Sequence, residues 1–338
     1  MSPHPAPSSA PFPWLLADVG GSNARFAWVA AADQAPQHIR TLAVAEYPSL
    51  LDAARAYLAG LSLGALPAGA DSQPRSAALA LATPVTGDQV RFTNSGWSFS
   101  QAELSAALGL QRLCVLNDFE ALALSLPRLR AGQWAPAGGG APRWDLPLAV
   151  VGPGTGLGVG GLLPHAAAGK GWLALAGEGG HATLAAADDF EAELLRVARR
   201  THAHVSAERF LSGIGLPLLY RSVAEVQGQR AVADVDAPWI LERALADDDA
   251  VAVRTIETFC AMLGSFAGSV ALTFGARGGL FIGGGIVPRL GARFERSQFR
   301  ERFEAKGRYR DYLAAIPTPL ITDTLAALDG AAQALSQA

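Results

Sequence analysis

Only two of the 338 residues are cysteine, Cys114 and Cys260. They stand far apart in apolar surroundings and read as buried free thiols. A disulfide scaffold is therefore not expected, and the cytoplasm is the expected compartment. Charge is also scarce: 17% of residues are charged and the net charge is -3. That balance gives no electrostatic footprint for nucleic acid or for an acidic membrane surface. Long apolar runs are missing too. The nearest, Cys260 to Phe274, is short and interrupted by glycine, serine and threonine, which suits a buried core helix better than a bilayer span. Met1 to Pro13 has neither the basic start nor the apolar run of a signal peptide, and a disordered tail is expected there. No Gly-Lys-Ser/Thr follows any glycine loop, which excludes a Walker A site. The first glycine turn, Gly20-Gly21, is followed by a strand and not a helix, so it is not a dinucleotide fingerprint.

Half of the chain is hydrophobic, enough for a sizeable core, and the length suggests two domains. Strands are expected at Trp14 to Asp18, Ala24 to Ala30, Ile39 to Ala45, Ala77 to Ala82, Gln89 to Thr93 and Leu113 to Leu116. Helical spacing runs from Ser49 to Leu61 and from Ser100 to Leu108, the latter opening with a Ser100-x-x-Glu103 capping box. A loop rich in Gly, Pro and Ser separates the first helix from the fourth strand, at about Gly64 to Arg75. Arg130 to Pro147 reads as an inserted loop. Leu148 to Val151, a glycine turn and Val159 to Leu163 then repeat the strand–glycine turn–strand design of residues 14 to 30. Such a repeat suggests two similar halves. Helices follow at Asp188 to Arg200, Ile214 to Val226, Ala237 to Ala246 and Ala250 to Phe274. A late strand, Gly279 to Ile282, and two amphipathic pieces lead to a strand at Pro319 to Thr322 and a closing helix. The order implies an α/β fold in two lobes.

Several stretches could carry chemistry. Asn117 and Asp118 stand where an apolar strand hands over to a helix, at the rim of a sheet where ligands bind in α/β folds. Either they cap the helix, or a carboxylate there accepts a proton from a bound hydroxyl. Asp18-Val-Gly-Gly-Ser22 and Gly152-Pro-Gly-Thr-Gly-Leu-Gly158 are glycine turns whose backbone N–H groups can face an anion. Asp18 could hold Mg²⁺, which binds few carboxylates and keeps its waters. Gly283-Gly-Gly285 permits close approach of a nucleoside. Glu178 and His181 stand on a glycine loop, as a turn glutamate and a core histidine or as ligands; with no cysteines nearby in ligand spacing, zinc is not expected. Glu208 is a first-turn helix glutamate or another ligand carboxylate. Asn94 and Trp97 add an amide and a ring. Together Asn94, Asn117, Asp118, Glu178, His181 and Glu208 form the hydrogen-bonding set that a polyhydroxylated ligand needs.

Seven stretches, in order, resemble the bacterial glucokinase family of the hexokinase–actin–sugar kinase superfamily. They are Leu16 to Arg25, Thr93 to Trp97, Leu116 to Phe119, Gly152 to Gly158, Gly177 to His181, Ser206 to Gly213 and Phe281 to Pro288. The resemblance implies a two-lobed ribonuclease H-like (actin/hexokinase-like) fold around a cleft. Residues 14–127 plus 319–338 would form the small domain and 128–318 the larger, helix-rich one. It implies ATP-dependent phosphorylation of D-glucose at its 6-hydroxyl, with Mg²⁺, in a cytoplasmic homodimer without nucleic-acid or membrane partners. Asp118 matches the catalytic base; Asn117, Glu178, His181 and Glu208 match glucose ligands. Ala17, Asp18, Val19, Gly20, Gly21 and Ser22 match the first phosphate segment, and Gly154, Thr155 and Gly156 the second. Gly284 and Gly285 remain as nucleoside neighbours read from the glycine run. Ser22 stands where threonine is usual, and Asp323 to Gly330 lacks the family's Pro-Gly.

Three rivals remain. A kinase for another hexose shares every motif, although the Cys-rich zinc cluster of the related repressor–kinase family is absent. A non-enzymatic sugar sensor would be expected to lack the base and to carry a DNA-binding domain, for which the tail before Trp14 is too short. A phosphatase of the same superfamily would have no use for the Glu178, His181 and Glu208 set.

Overall fold

The computed structural model describes residues 10–62, 72–92, 95–165 and 171–337. Asn94, most of the loop expected at Gly64 to Arg75 and residues 1–9 of the expected tail lie outside them. The chain divides into two compact units. The first comprises Met1–Leu129, His165–Ala174 and Thr324–Ala338; the second comprises Arg130–Pro164 and Leu175–Asp323.

The first unit opens with β1 (Trp14–Val19), β2 (Asn23–Val29) and β3 (Gln37–Ala43), followed by α1 (Leu50–Ser62) and β4 (Ser76–Leu81). A small hairpin, β5 (Gln89–Arg91) and β6 (Ser98–Ser100), leads to α2 (Gln101–Leu108), β7 (Arg112–Asn117) and α3 (Asp118–Ser125). The sheet order is β3-β2-β1-β4-β7. β1 and β4 are apolar on both faces because both faces are covered. Successive side chains alternate sides. Leu15, Ala17 and Val19 join the core containing Leu50, Tyr57 and Leu104, while Trp14 and Leu16 join Leu328, Ala331 and Leu335 of the closing helix. The expected tail is shorter than Pro13: Ala10 is buried and accepts the Trp14 indole N–H at 3.0 Å, and Phe12 stacks on that indole. The aromatic pair gives these residues a place to pack that a Pro/Ser/Ala-rich composition does not reveal.

The second sheet and the helices packed with it comprise β8 (Trp134–Pro136), β9 (Leu148–Pro153), β10 (Leu157–His165), β11 (Gly171–Gly177, whose residues 171–174 count with the first unit), α4 (Asp189–Ala198), α5 (Leu216–Val226), α6 (Ala237–Ala246), α7 (Ala250–Phe274) and β12 (Gly279–Ile282). Short helices α8 (Val287–Leu290), α9 (Ala292–Glu295), α10 (Phe299–Glu304) and α11 (Arg310–Ala314) precede β13 (Pro319–Ile321), and α12 (Ala326–Gln337) ends the chain. The sheet order is β11-β10-β9-β12-β13-β8. Apart from the added edge strand β8, this repeats the order of the first sheet. Each has an antiparallel hairpin whose first strand pairs in parallel with a later one. The duplicated sheet is the expected two-lobed, ribonuclease H-like α/β arrangement. α7 is the one described helix long and apolar enough to cross a membrane, but 83% of its apolar window is buried inside the protein.

Three expectations need correction. The segment read as an inserted loop, Arg130 to Pro147, supplies β8, which pairs antiparallel with β13. Its Trp144 ring also lies 5.9 Å from that of Phe281, so it edges the sheet and covers β12. β11 was not foreseen. The domain boundaries also differ, because β13 pairs with β12 in the second sheet and residues 165–174 join the first unit. There the Trp172 main chain exchanges two hydrogen bonds with the Gln337 side chain. Short edge strands carry too few residues to show a period, so pairing alone defines them.

Candidate active site

In the first unit the parallel strands end level. Val19 pairs with Leu81, and Leu81 with Asn117. At ~4.8 Å between strands, the ends of β1 and β7 lie about 10 Å apart on one sheet edge. The glycine turn and Asp118 therefore share that edge, with only β4 between them. Ala17 and Val19 are buried in the core, so only their main chain could serve a ligand. Gly20 N–H donates to Asn23 O at 2.9 Å, and Ser22 O accepts from Val44 N–H at 2.9 Å. The turn is thus closed on itself and tied to the chain after β3, leaving the Ser22 side chain exposed.

Asp18 faces Arg25 across the hairpin, and its Oδ2 accepts from Arg25 at 2.9 Å. Burial pushes the Asp18 carboxyl above the usual carboxylate range, against the opposing pull of the Arg25 guanidinium. Among the described residues no group of three or more His, Cys, Asp or Glu is arranged to hold a metal ion. Nucleotide-borne Mg²⁺ needs less, because phosphate and water supply most of its ligands. Asp18 offers one carboxylate for it, already paired with Arg25.

Asn117 is the N-cap of α3. Its Oδ1 accepts from Phe119 N–H at 2.9 Å, and Asp118 Oδ1 accepts from the same N–H at 2.9 Å. Asn117 Nδ2 reaches Thr83 O at 3.5 Å. The cap and base readings of this pair are compatible: Asn117 starts the helix, and the helix start orients the Asp118 carboxylate. Sequence reasoning missed Glu120, whose carboxylate accepts from Asn117 N–H, the returning half of a capping box, while Asn117 Oδ1 takes Phe119 N–H instead of that of Glu120. The Asn117-x-x-Glu120 spacing carried that signal. Behind the helix, Gly330 of α12 packs so closely on α3 that a Cβ there would overlap the Ala121 carbonyl oxygen. Trp97, an aromatic candidate, is buried and donates its indole N–H to Tyr47 O at 3.0 Å; it shapes the core.

Burial is the main cause raising the Glu120 carboxyl, ahead of the lowering effect of the Asn117 N–H. A carboxyl raised on folding contributes stability below its unfolded value, and that contribution is lost as pH rises through the folded value. Glu120→Gln keeps a capping acceptor without the ionisation. Its Tm is expected to match wild type below pH 4.5 and to equal or exceed it at pH 7–8. Thermal unfolding across that range checks this, and a Tm deficit that grows with pH would refute it.

The second unit assembles the other candidates. The turn after β9 is closed by Gly154 N–H donating to Gly156 O at 2.8 Å. It is braced from outside: Gly213 N–H donates to Gly154 O at 2.8 Å and Ile214 N–H to Thr155 O at 3.2 Å. Ser206 to Gly213 was read only as the source of Glu208; the structure makes it the support of this turn. Gly284, at φ +77°, packs against the Pro153 main chain, and Ile286 N–H donates to Pro153 O at 3.2 Å. Both glycine loops thus stand at one end of the β9/β12 pair.

Glu208 lies in a 3-10 turn, Ala207–Arg209, and not in an α-helix. Thr183 and Ser206 form an antiparallel bridge, and Ala207 N–H donates to Ala182 O at 2.9 Å. This short ladder sets His181 beside Glu208, with Nε2 3.7 Å from Oε1. The His181 side chain is 61% exposed, which removes the core-histidine reading. Glu178 is exposed at the head of the 3-10 turn Gly179–His181. A cavity of about 260 Å³ is lined by His181, His202, Ala203, His204, Ser206, Glu208 and Arg209. Of the sugar-ligand candidates in this unit, His181 and Glu208 line it and Glu178 does not.

A family model described as Glucokinase matches residues 15–338. The chain belongs to the glucokinase family. It is 51% identical over 329 residues to a glucokinase of Chromobacterium violaceum, covering 96% of this chain and 90% of that one. It is 49% identical over 325 residues to the bifunctional protein glk of Burkholderia pseudomallei, covering 96% of this chain but only 49% of that protein. The chain thus spans about half the length of such bifunctional relatives. Among solved structures, a glucokinase from an Antarctic psychrotroph superposes with a TM-score of 0.86 at 39% identity, covering 96% of this chain and 99% of that one. The glucokinase-family match includes both glycine hairpins, the Asn117-Asp118 junction and the His181–Glu208 pair.

Proposed function

We propose that this chain transfers the γ-phosphoryl group of ATP to the 6-hydroxyl of D-glucose. The observation that carries the reading is family membership across residues 15–338, and the placement of Asp118 on the sheet edge that bears the Gly20–Ser22 turn supports it. Phosphoryl transfer asks a protein mainly for positioning and charge compensation. Asp118 takes the proton of the attacking hydroxyl, its carboxylate held in orientation by Phe119 N–H. Asn94, Asn117, Glu178, His181 and Glu208 bind the sugar hydroxyls. The turns of segments 17–22 and 154–156 receive phosphate oxygens, the N–H groups of Gly20 and Gly154 being already used to close those turns, and Gly284 and Gly285 border the nucleoside. Asp18 would hold Mg²⁺, which when bound neutralises phosphate charge. The protein would work in the cytoplasm as a homodimer.

The test is coupled detection of hexose 6-phosphate over a panel of glucose, mannose and fructose with ATP or polyphosphate as donor. Glucose with ATP is expected to give the highest kcat/KM. A higher value for another hexose would reassign the substrate, and no turnover with any hexose would overturn the kinase reading.

A further inference from the structure

Glu208 has two carboxylate oxygens with different occupations. Oε2 accepts the main-chain N–H of Leu157 at 2.9 Å, the residue that leaves the second phosphate turn. Oε1 faces His181 at 3.7 Å, and both residues line the cavity. The carboxylate also lies over Gly156, where an added Cβ would stand 2.5 Å from Oε2. Its own main chain is fixed from behind, since the Ser212 hydroxyl donates to Glu208 O at 2.7 Å. From the same stretch, Gly213 and Ile214 brace Gly154 and Thr155. One side chain therefore lines the cavity, with one oxygen beside His181 and the other bonded to the residue that leaves the phosphate turn. A solvated sugar ligand would spend both oxygens on hydroxyls; this one is half committed to main chain.

We infer that Glu208 is a positioning residue that couples sugar occupancy to the geometry of the Gly154–Gly156 turn. The inference rests on the proposed reading that sugar binds beside Glu208 and phosphate at that turn. A hydroxyl bonded to Oε1 fixes the rotamer of Glu208. The fixed rotamer holds the Leu157 N–H bond, and with it the direction of the N–H groups just before Leu157. Binding of nucleotide then meets a turn already ordered. Such coupling is reciprocal: whatever factor sugar adds to nucleotide affinity, nucleotide adds to sugar affinity. Gly156 is part of the same device, because a Cβ there would press on Oε2 and shift the carboxylate from its place over the turn.

Calorimetric titration of the full chain with glucose, in the presence and absence of the non-hydrolysable analogue AMPPNP, measures the coupling factor. Wild type is expected to bind glucose more tightly with AMPPNP present, by a factor of about 5 or more, the range usual for coupled sites. Glu208→Asp, one methylene too short to reach both Leu157 N–H and the cavity, is expected to bring the factor close to one. Gly156→Ala should do the same from the phosphate side and should also weaken glucose binding, although residue 156 belongs to the turn. Glu208→Gln keeps an oxygen for Leu157 N–H and should retain most of the coupling. If Glu208→Asp and Gly156→Ala weaken one ligand each and leave the factor unchanged, the coupling is wrong while the kinase reading stands. Failure of wild type to bind glucose at all would remove both.

Discussion

Asp118→Ala is expected to lower kcat for glucose phosphorylation by about 10²–10⁴, the range that a positioned general base contributes, with a smaller change in KM. The geometry makes this variant informative because it spares the local structure. Asn117, not Asp118, caps α3 through Phe119 N–H, and Glu120 closes the box from the other side. One hydrogen bond lost with the side chain, Phe119 N–H to Asp118 Oδ1, duplicates one that Asn117 already makes. Removing a first-turn carboxylate from a helix costs about 0.3–1 kcal/mol. Circular dichroism should stay unchanged and Tm should fall by a few degrees at most. Steady-state kinetics on the purified variant decides the matter, and turnover near the wild-type rate would dismiss Asp118 as the base.

Arg302→Ala is expected to destabilise the protein by about 3 kcal/mol, the scale for breaking one side of a buried ion pair. Arg302 is paired with Glu191, which is 3% exposed, and its Nη1 donates to Asp188 Oδ2 at 3.0 Å. Its Nε donates to Ser265 Oγ at 3.3 Å. One guanidinium on α10 thereby ties the start of α4 to α7. Without it Glu191 keeps the Ala187 N–H at 2.7 Å but loses its strong counter-charge. Burial pushes the Glu191 carboxyl up, ahead of the lowering effects of Ala187 N–H and Arg302. A raised carboxyl favours folding at low pH and loses that contribution as pH rises through its folded value. The deficit of Arg302→Ala should therefore be larger at pH 8 than at pH 5. Denaturant midpoints at the two pH values measure it. Adding Glu191→Leu should recover part of the loss, since the buried charge is then gone; a deficit unchanged by that second substitution would show that the ion pair is not its cause.

The elements that the sequence determined are those with a long period or a strong cap. β1, β4 and β9 read as apolar runs because both faces of each are covered. α2 read through its Ser100 capping box and α4 and α7 through their apolar spacing; in the structure Ser100, Asp188 and Asp249 each accept a main-chain N–H three residues on. The candidate site was legible as pieces: glycines at two hairpin tips, an Asx pair at a strand-to-helix junction, and carboxylates with a histidine on loops. Local spacing displays these because each piece is built within about ten residues. What local spacing does not carry is which partner a group has when the partner is far away. β8 is a strand only because β13 lies beside it, and the Trp144 ring has something to lie against only because Phe281 is opposite. The Arg130–Pro147 stretch, full of Gly, Pro and Trp, therefore resembled a loop. Glu208 read as a helix glutamate because its Leu157 N–H partner is 51 positions away. Asp118 read alone as a cap because the turn that makes its position chemical is reached only across β4. Hydrogen bonds and packing depend on distance in space, and only the tertiary structure sets that distance.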